Sequence, residues 1–421
     1  MWRQVYDRAA AYLILLASVI LLADCSRDKG TQTVTAQPLA AQTPPPAVPA
    51  QVPSAPPIVV PTPALASPEA PQSPGAAAEA AVDRGSALAA QGQLMPAKAA
   101  FELAIAMAPA NANAAAGPAA LSDVEQGRLP AEAVTRMFKA MELANEQKWT
   151  EALAEADAAI GLAPNHSRTH DARAKLHIHQ GQYQRAISDL DKALELDNTY
   201  ADGFYNRGVS DSEMAQYDRA IEDYDRAIAL RPSFADAYRN RGSAHANTRD
   251  IERAIADYTR AIDLNPTGSE IYYLRGVLLT IKADPDRALA DFTKVIGLDP
   301  ANAPAYYNRA LMYQQKGEDE AAIADFTRAI DADPKDPAAY VNRGLLLARK
   351  RDYGRAIEDY DKALAAGAGF AVAHYNKAQA YEQWGQPQNA VQSYRRFLEQ
   401  AAAEHAAYVA VARQRLTALQ K

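Results

Sequence analysis

The sequence predicts an all-α solenoid of antiparallel helix pairs, preceded by a disordered Pro/Ala-rich tether and an N-terminal apolar segment. Three observations carry this. Phe204-Tyr205-Asn206-Arg207-Gly208 has near copies beginning at Tyr238, Tyr272, Tyr306, Tyr340 and His374, each 34 residues after the last. Between the copies, apolar residues recur at three- and four-residue spacing, as in AIEDYDRAIAL at 220–230, the mark of an amphipathic helix. Proline is segregated: about half of the 26 prolines fall between Pro38 and Pro74, where they deny helix and central strand.

Residues 1–30 read as a signal peptide or membrane anchor. Arg3 and Arg8 precede the apolar run Ala9–Ala23, and Asp24 ends it; a basic start, an apolar middle and a polar exit describe an export signal. As a helix the run spans roughly 22 Å, short of the ~30 Å hydrocarbon core. The sequence LLADC resembles a bacterial lipobox, which makes Cys25, the single cysteine, the lipidation candidate. Asp24 stands where that motif has Gly, Ala or Ser, so an uncleaved anchor is the alternative. One cysteine excludes an intramolecular disulfide and a cysteine metal site. Residues 31–77 are rich in Pro, Ala, Gln and Thr, nearly uncharged and without a periodic apolar face. They read as a disordered, polyproline-like linker reaching on the order of 100 Å. This order of segments places the protein in the envelope or periplasm, tethered to a membrane by its N-terminus.

Residues 78–132 hold a divergent repeat, with Gly85, Gly92, Ala97, Phe101, Ala104 and Pro109, and a connecting segment. Residues 133–404 are eight contiguous units without insertion or deletion. Residues 405–421 are amphipathic, follow the last unit and read as a capping helix. In unit 201–234, Phe204 stands at position 4, Gly208 at 8, Ala220 at 20, Tyr224 at 24, Ala227 at 27 and Pro232 at 32. Small residues let two helices approach, aromatics fill the space beside them, and the proline closes the unit. The set returns as Tyr238, Gly242, Ala254, Tyr258, Ala261 and Pro266, and again in the following units. On these residues the chain resembles the tetratricopeptide repeat (TPR) family. The resemblance implies a TPR superhelical solenoid with a concave groove that binds a protein or extended peptide, and no catalysis.

Position 7, usually Leu in that family, is arginine here. Sixteen residues on lies an aspartate, giving Arg173/Asp189, Arg207/Asp223, Arg241/Asp257, Arg275/Asp291, Arg309/Asp325 and Arg343/Asp359. In a hairpin turning near position 15 these lie at similar heights on facing helices, which predicts a ladder of ion pairs and a scaffold role. Position 6 carries Asn206, Asn240, Asn308, Asn342 and Asn376, a row broken by Leu274. The resemblance puts position 6 on the concave face, where an amide can both donate to and accept from a peptide backbone. The alternative is that asparagine is simply common there. Tyr205, Arg239, Tyr273, Tyr307 and Tyr375 at position 5 complete the candidate peptide-binding residues. Position 2 holds Asp202, Asp236, Glu270, Pro304 and Ala338, which excludes the lysine clamp of TPR proteins that bind chaperone tails.

Net charge of −7 and pI near 5.6 disfavour nucleic acid, whose phosphates need a basic surface. No phosphate loop, nucleophile elbow or HExxH occurs, and the carboxylates recur with the repeat. No cofactor or metal site is expected. His166, His170, His177 and His179 form the one cluster to weigh: His166 and His170 have the spacing of a helical chelate, but His170 and His177 fall at packing positions. Two other readings stay open. One is an assembly or pilotin-like lipoprotein of a pilus, secretion or envelope machine. The other is a metal-binding or enzyme-accessory subunit using the 166–179 histidines.

Overall fold

A computed structural model describes residues 74–107, 112–367, 371–401 and 405–420. The N-terminal segment, Cys25 and the proline-rich stretch to residue 73 lie outside the described residues. Twenty helices and no strand occur among those described. The first begins at Pro74, inside the stretch read as linker. The chain divides into two compact units, one ending at Ile271 and the other starting at Tyr272.

In the first unit, helices Ala201–Glu213 and Tyr217–Leu230 pair antiparallel, and so do Ala235–Asn247 and Ile251–Leu264. In the second, Ala303–Gln315 pairs with Asp319–Ala332, and Pro337–Arg349 with Tyr353–Ala366. The register of each hairpin is set by its small residue. A Cβ added at Gly208 would sit 2.8 Å from the Tyr224 ring, and one at Gly344 the same distance from Tyr360. The aromatic at position 24 therefore lies directly on the backbone of position 8. Tyr224, Tyr258, Phe292, Phe326 and Tyr360 are all fully buried in this way.

The hairpin turn has a cause of its own. Position 15 adopts positive φ in every unit of the array: Gln147, Gly181, Ala215, Arg249, Ala283, Gly317, Arg351 and Gly385. Gly92 does so at the matching place of the divergent repeat. The next amide closes the helix end by reaching back five residues, as Asp284 N does to Leu279 O at 2.9 Å, a Schellman-type stop. An L side chain in this region costs ~1–2 kcal/mol. Ala283→Gly and Arg249→Gly are thus expected to stabilise their hairpins by ~0.5–1 kcal/mol each. Hydrogen exchange of the flanking helices checks this; lower protection would contradict it.

Both ends depart from the regular pattern. Helix Pro74–Ala90 packs on Ala131–Asn145, and the extra helix Ala112–Glu125 packs beside them. Phe101 is gripped there between Gly85 and Gly117. At the C-terminus, Ala406–Leu419 lies on the last hairpin, with Tyr408 5.4 Å from Tyr375 and Ala412 fully buried. Its Tyr408 and Ala412 fall where positions 4 and 8 of a further unit would be, so the helix is the first half of one more repeat.

Candidate peptide-binding face

The ladder read from the 16-residue spacing is present. Arg343 donates from Nε and Nη2 to the two carboxylate oxygens of Asp359, at 2.8 and 2.7 Å. Arg173, Arg207, Arg241, Arg275 and Arg309 make the same two-pronged bond to Asp189, Asp223, Asp257, Asp291 and Asp325. The guanidinium also crosses to the preceding repeat. Arg207 Nη1 reaches Asp191 at 2.7 Å, Arg241 reaches Asp225, and Arg343 reaches Thr327 Oγ1 at 3.0 Å. Arg207, Arg241, Arg275, Arg309 and Arg343 also lie over the aromatic at position 4, as Arg309 does over Tyr306. One planar fork thus ties both helices of its own repeat and the second helix of the repeat before, which a lysine cannot do.

The asparagines form a second set of rungs. Asn240 donates from Nδ2 to the Tyr205 phenol at 3.0 Å, Asn308 to Tyr273 at 2.9 Å, and Asn342 to Tyr307 at 3.0 Å. Asn206 donates to the Asp171 carboxylate at 2.6 Å. Each bond joins position 6 of one repeat to position 5 of the preceding one. All five asparagines are buried. Sequence reading missed the partner because it lies 35 residues back, in another repeat. The signal was available: asparagine stands where the preceding repeat offers a phenol or carboxylate.

Asn376 is the exception. Its neighbour in the series is Val341, and neither Nδ2 nor Oδ1 has a partner although the residue is 2% exposed. A buried unpaired amide costs ~1–3 kcal/mol. Asn376→Leu is therefore expected to raise local stability by about 1 kcal/mol, and Asn342→Leu to lower it by about as much. Opposite signs for one substitution, read by hydrogen exchange of the two helices, check the assignment; equal signs would contradict it.

Other candidates fall in varied settings. Tyr375 is fully buried against Tyr394, Phe397 and Tyr408. Tyr273 is buried, whereas Tyr205 and Tyr307 are half-buried. Arg239 is half-exposed and pairs with Asp236 at 3.1 Å. Burial holds the Tyr307 phenol in its protonated form, its ionisation pushed far above the usual range. Because Tyr307 accepts from Asn342, its own hydrogen remains to be donated.

The first-helix face differs in chemistry between the two compact units. In the first it is polar and self-paired: Lys175 binds Asp171 at 2.9 Å, Tyr200 donates to the same carboxylate at 2.8 Å, and Arg231 binds Asp202 with both prongs. In the second, positions 2, 5 and 9 are Pro304, Tyr307 and Leu311, then Ala338, Val341 and Leu345, with no charge. Tyr307, Leu311 and Leu345 are only partly covered. This arrangement can hold an uncharged apolar segment and donate to its carbonyls.

The histidines have separate partners. His166 Nδ1 accepts from Arg168 N, His170 Nε2 lies 2.9 Å from Pro164 O, and His177 Nδ1 lies 3.1 Å from Gln182 Oε1. Among the described residues no three His, Cys, Asp or Glu side chains are grouped to hold a metal ion. Sequence reading also missed Asp211, 1% exposed, its Oδ1 without a hydrogen bond and 3.7 Å from Arg219 Nη1, its pKa raised by burial.

Paired helices in a fixed 34-residue register, cross-tied from repeat to repeat, define a helical repeat scaffold. Tetratricopeptide repeat family models match residues 205–279 and 341–407, 303–336 and 269–302, and a TPR repeat model matches 174–210. The chain belongs to the tetratricopeptide repeat family. Among solved structures it is similar to YrrB, described as a TPR protein with an unusual peptide-binding site, at 27% identity over 44% of this chain and 95% of that one, TM-score 0.41. It is similar to MamA from Desulfovibrio magneticus at 24% identity over 41% and 97% of the chains, TM-score 0.37. The C-terminal part of a TPR protein from Cytophaga hutchinsonii matches at 20% identity over 55% and 95%, TM-score 0.48. Among curated proteins, none matches.

Proposed function

We propose that this chain is a non-catalytic scaffold that holds a protein partner or extended peptide against the face made by its first helices. In this reading the N-terminal segment keeps the scaffold beside a bacterial-type envelope membrane. The observation that carries the binding role is the uncharged, half-covered row Tyr307, Leu311 and Leu345, on a chain otherwise 23% charged. Aromatic and aliphatic side chains left partly open on a rigid face mark an interaction surface. Asn240 and Asn342 act through tyrosines, holding the half-buried Tyr205 and Tyr307 phenols that a partner touches.

The test is affinity capture from envelope extract by the detergent-solubilised full chain. Native protein is compared with Leu311→Glu/Leu345→Glu and with Arg328→Glu, which alters an exposed second-helix residue. Circular dichroism confirms that all three fold. A partner retained by native and Arg328→Glu, and lost from the double variant, is the expected result. Equal retention by all three would overturn the face assignment. Envelope fractionation, with the mass of the N-terminal peptide bearing Cys25, tests the membrane link.

A further inference from the structure

The uncharged face of the second compact unit has a candidate occupant within the same chain. We propose that the proline-rich segment Pro38–Pro71 is itself a ligand of the surface formed by Pro304, Tyr307, Leu311, Leu345 and Ala348, so that an outside partner must displace it. This rests on the reading of that face as a binding surface.

Three observations carry the proposal. The first is matched charge. Residues 31–73 contain a single charged side chain, Glu69, and the five face residues contain none. A charged ligand would lose its hydration against such a face without gaining a counter-charge; an uncharged one escapes that cost.

The second is matched hydrogen bonding. Proline offers a carbonyl and no N–H, so a proline-rich strand is a row of acceptors. The face supplies a donor: the Tyr307 phenol accepts from Asn342 Nδ2 at 3.0 Å and keeps its own hydrogen. Pro46/Pro49, Pro53/Pro56 and Pro68/Pro71 have the two-residue gaps that put both prolines on one side of a polyproline II helix. Segments of that kind dock on aromatic-lined grooves with little ordering entropy to lose. Val48, Val52, Ile58 and Leu65 between the prolines supply apolar surface for Leu311 and Leu345.

The third is reach. The segment joins the fold at helix Pro74–Ala90. Extended at ~3.1 Å per residue, Pro38–Pro71 spans on the order of 100 Å. Covalent attachment gives the segment an effective concentration near the millimolar range, so modest affinity is enough to occupy the face.

The experiment places a photoactivatable phenylalanine at Val52 in the detergent-solubilised full chain and maps its crosslinks by mass spectrometry. The expected crosslinks fall within one chain, on helices Ala303–Gln315 and Pro337–Arg349. Their yield should be independent of protein concentration and fall at least tenfold in folded Leu311→Glu/Leu345→Glu. Crosslinks concentrated elsewhere, formed between chains, or unchanged in the double variant would overturn the proposal. Failure here is distinguishable from failure of the binding role. A partner lost from the double variant, with no crosslink to the face, sinks this inference and keeps the scaffold reading. Crosslinks on the face, with no partner retained even when residues 44–60 are replaced by Gly-Ser sequence, do the reverse.

Discussion

Asp359→Ala is expected to lower the stability of the hairpins around it by ~3–5 kcal/mol. The Arg343 side chain is 12% exposed and that of Asp359 only 4%. Removing the carboxylate leaves a guanidinium enclosed among helices, with Thr327 Oγ1 as a remaining acceptor. The penalty is mainly the stranded charge, because a buried pair itself stabilises little relative to apolar groups of similar size. The joint replacement Arg343→Leu/Asp359→Leu is therefore expected to cost far less than Asp359→Ala alone. Since a repeat array unfolds locally, the measurement is hydrogen exchange of helices Pro337–Arg349 and Tyr353–Ala366, not a single global midpoint. A loss under about 1 kcal/mol for Asp359→Ala would show a solvated, weak pair.

Gly344→Val is the second large effect. A Cβ at this position sits 2.8 Å from Tyr360 Cε1 and 3.2 Å from the Ala356 carbonyl oxygen. The ring has nowhere to go, since Tyr360 is 1% exposed, and the carbonyl belongs to the helix backbone. A β-branched side chain must push the two helices apart, at a cost of about 3 kcal/mol. Gly344→Ala should cost less, because Ala310 occupies the same position against Phe326 in the preceding repeat. Thermal unfolding of the two variants separates the cases. Equal midpoints would mean that position 8 does not set the helix spacing.

Much of this was legible in the sequence. The 34-residue recurrence located the repeats, because a hairpin that cannot bury its apolar face alone must repeat in register to do so. The Arg–Asp pairs were legible because both members lie in one repeat at a constant spacing. The hairpin turn near position 15 was expected, but its backbone was not, since glycine holds that place in only some repeats and Ala283 or Arg351 takes the same positive φ in others. The asparagine bonds escaped notice because their partners lie in a different repeat. The covering of Tyr375 was equally hidden, since it depends on Tyr408 beyond the last full unit. The contrast between a polar and an apolar first-helix face was visible residue by residue at positions 2, 5 and 9. Its meaning needed burial to show which of those side chains remain open.

The central claim is that repeated polar residues bind repeat to repeat, while open apolar residues meet the partner. A double-mutant cycle on Tyr307→Phe and Asn342→Leu tests it most directly, read by hydrogen exchange of helices Ala303–Gln315 and Pro337–Arg349. The predicted result is a coupling of about 1 kcal/mol, the worth of one buried hydrogen bond. Effects that add to within ~0.3 kcal/mol would mean that the two residues act independently. The rung would then not exist in solution, and the asparagine row would have no part in tying the repeats together.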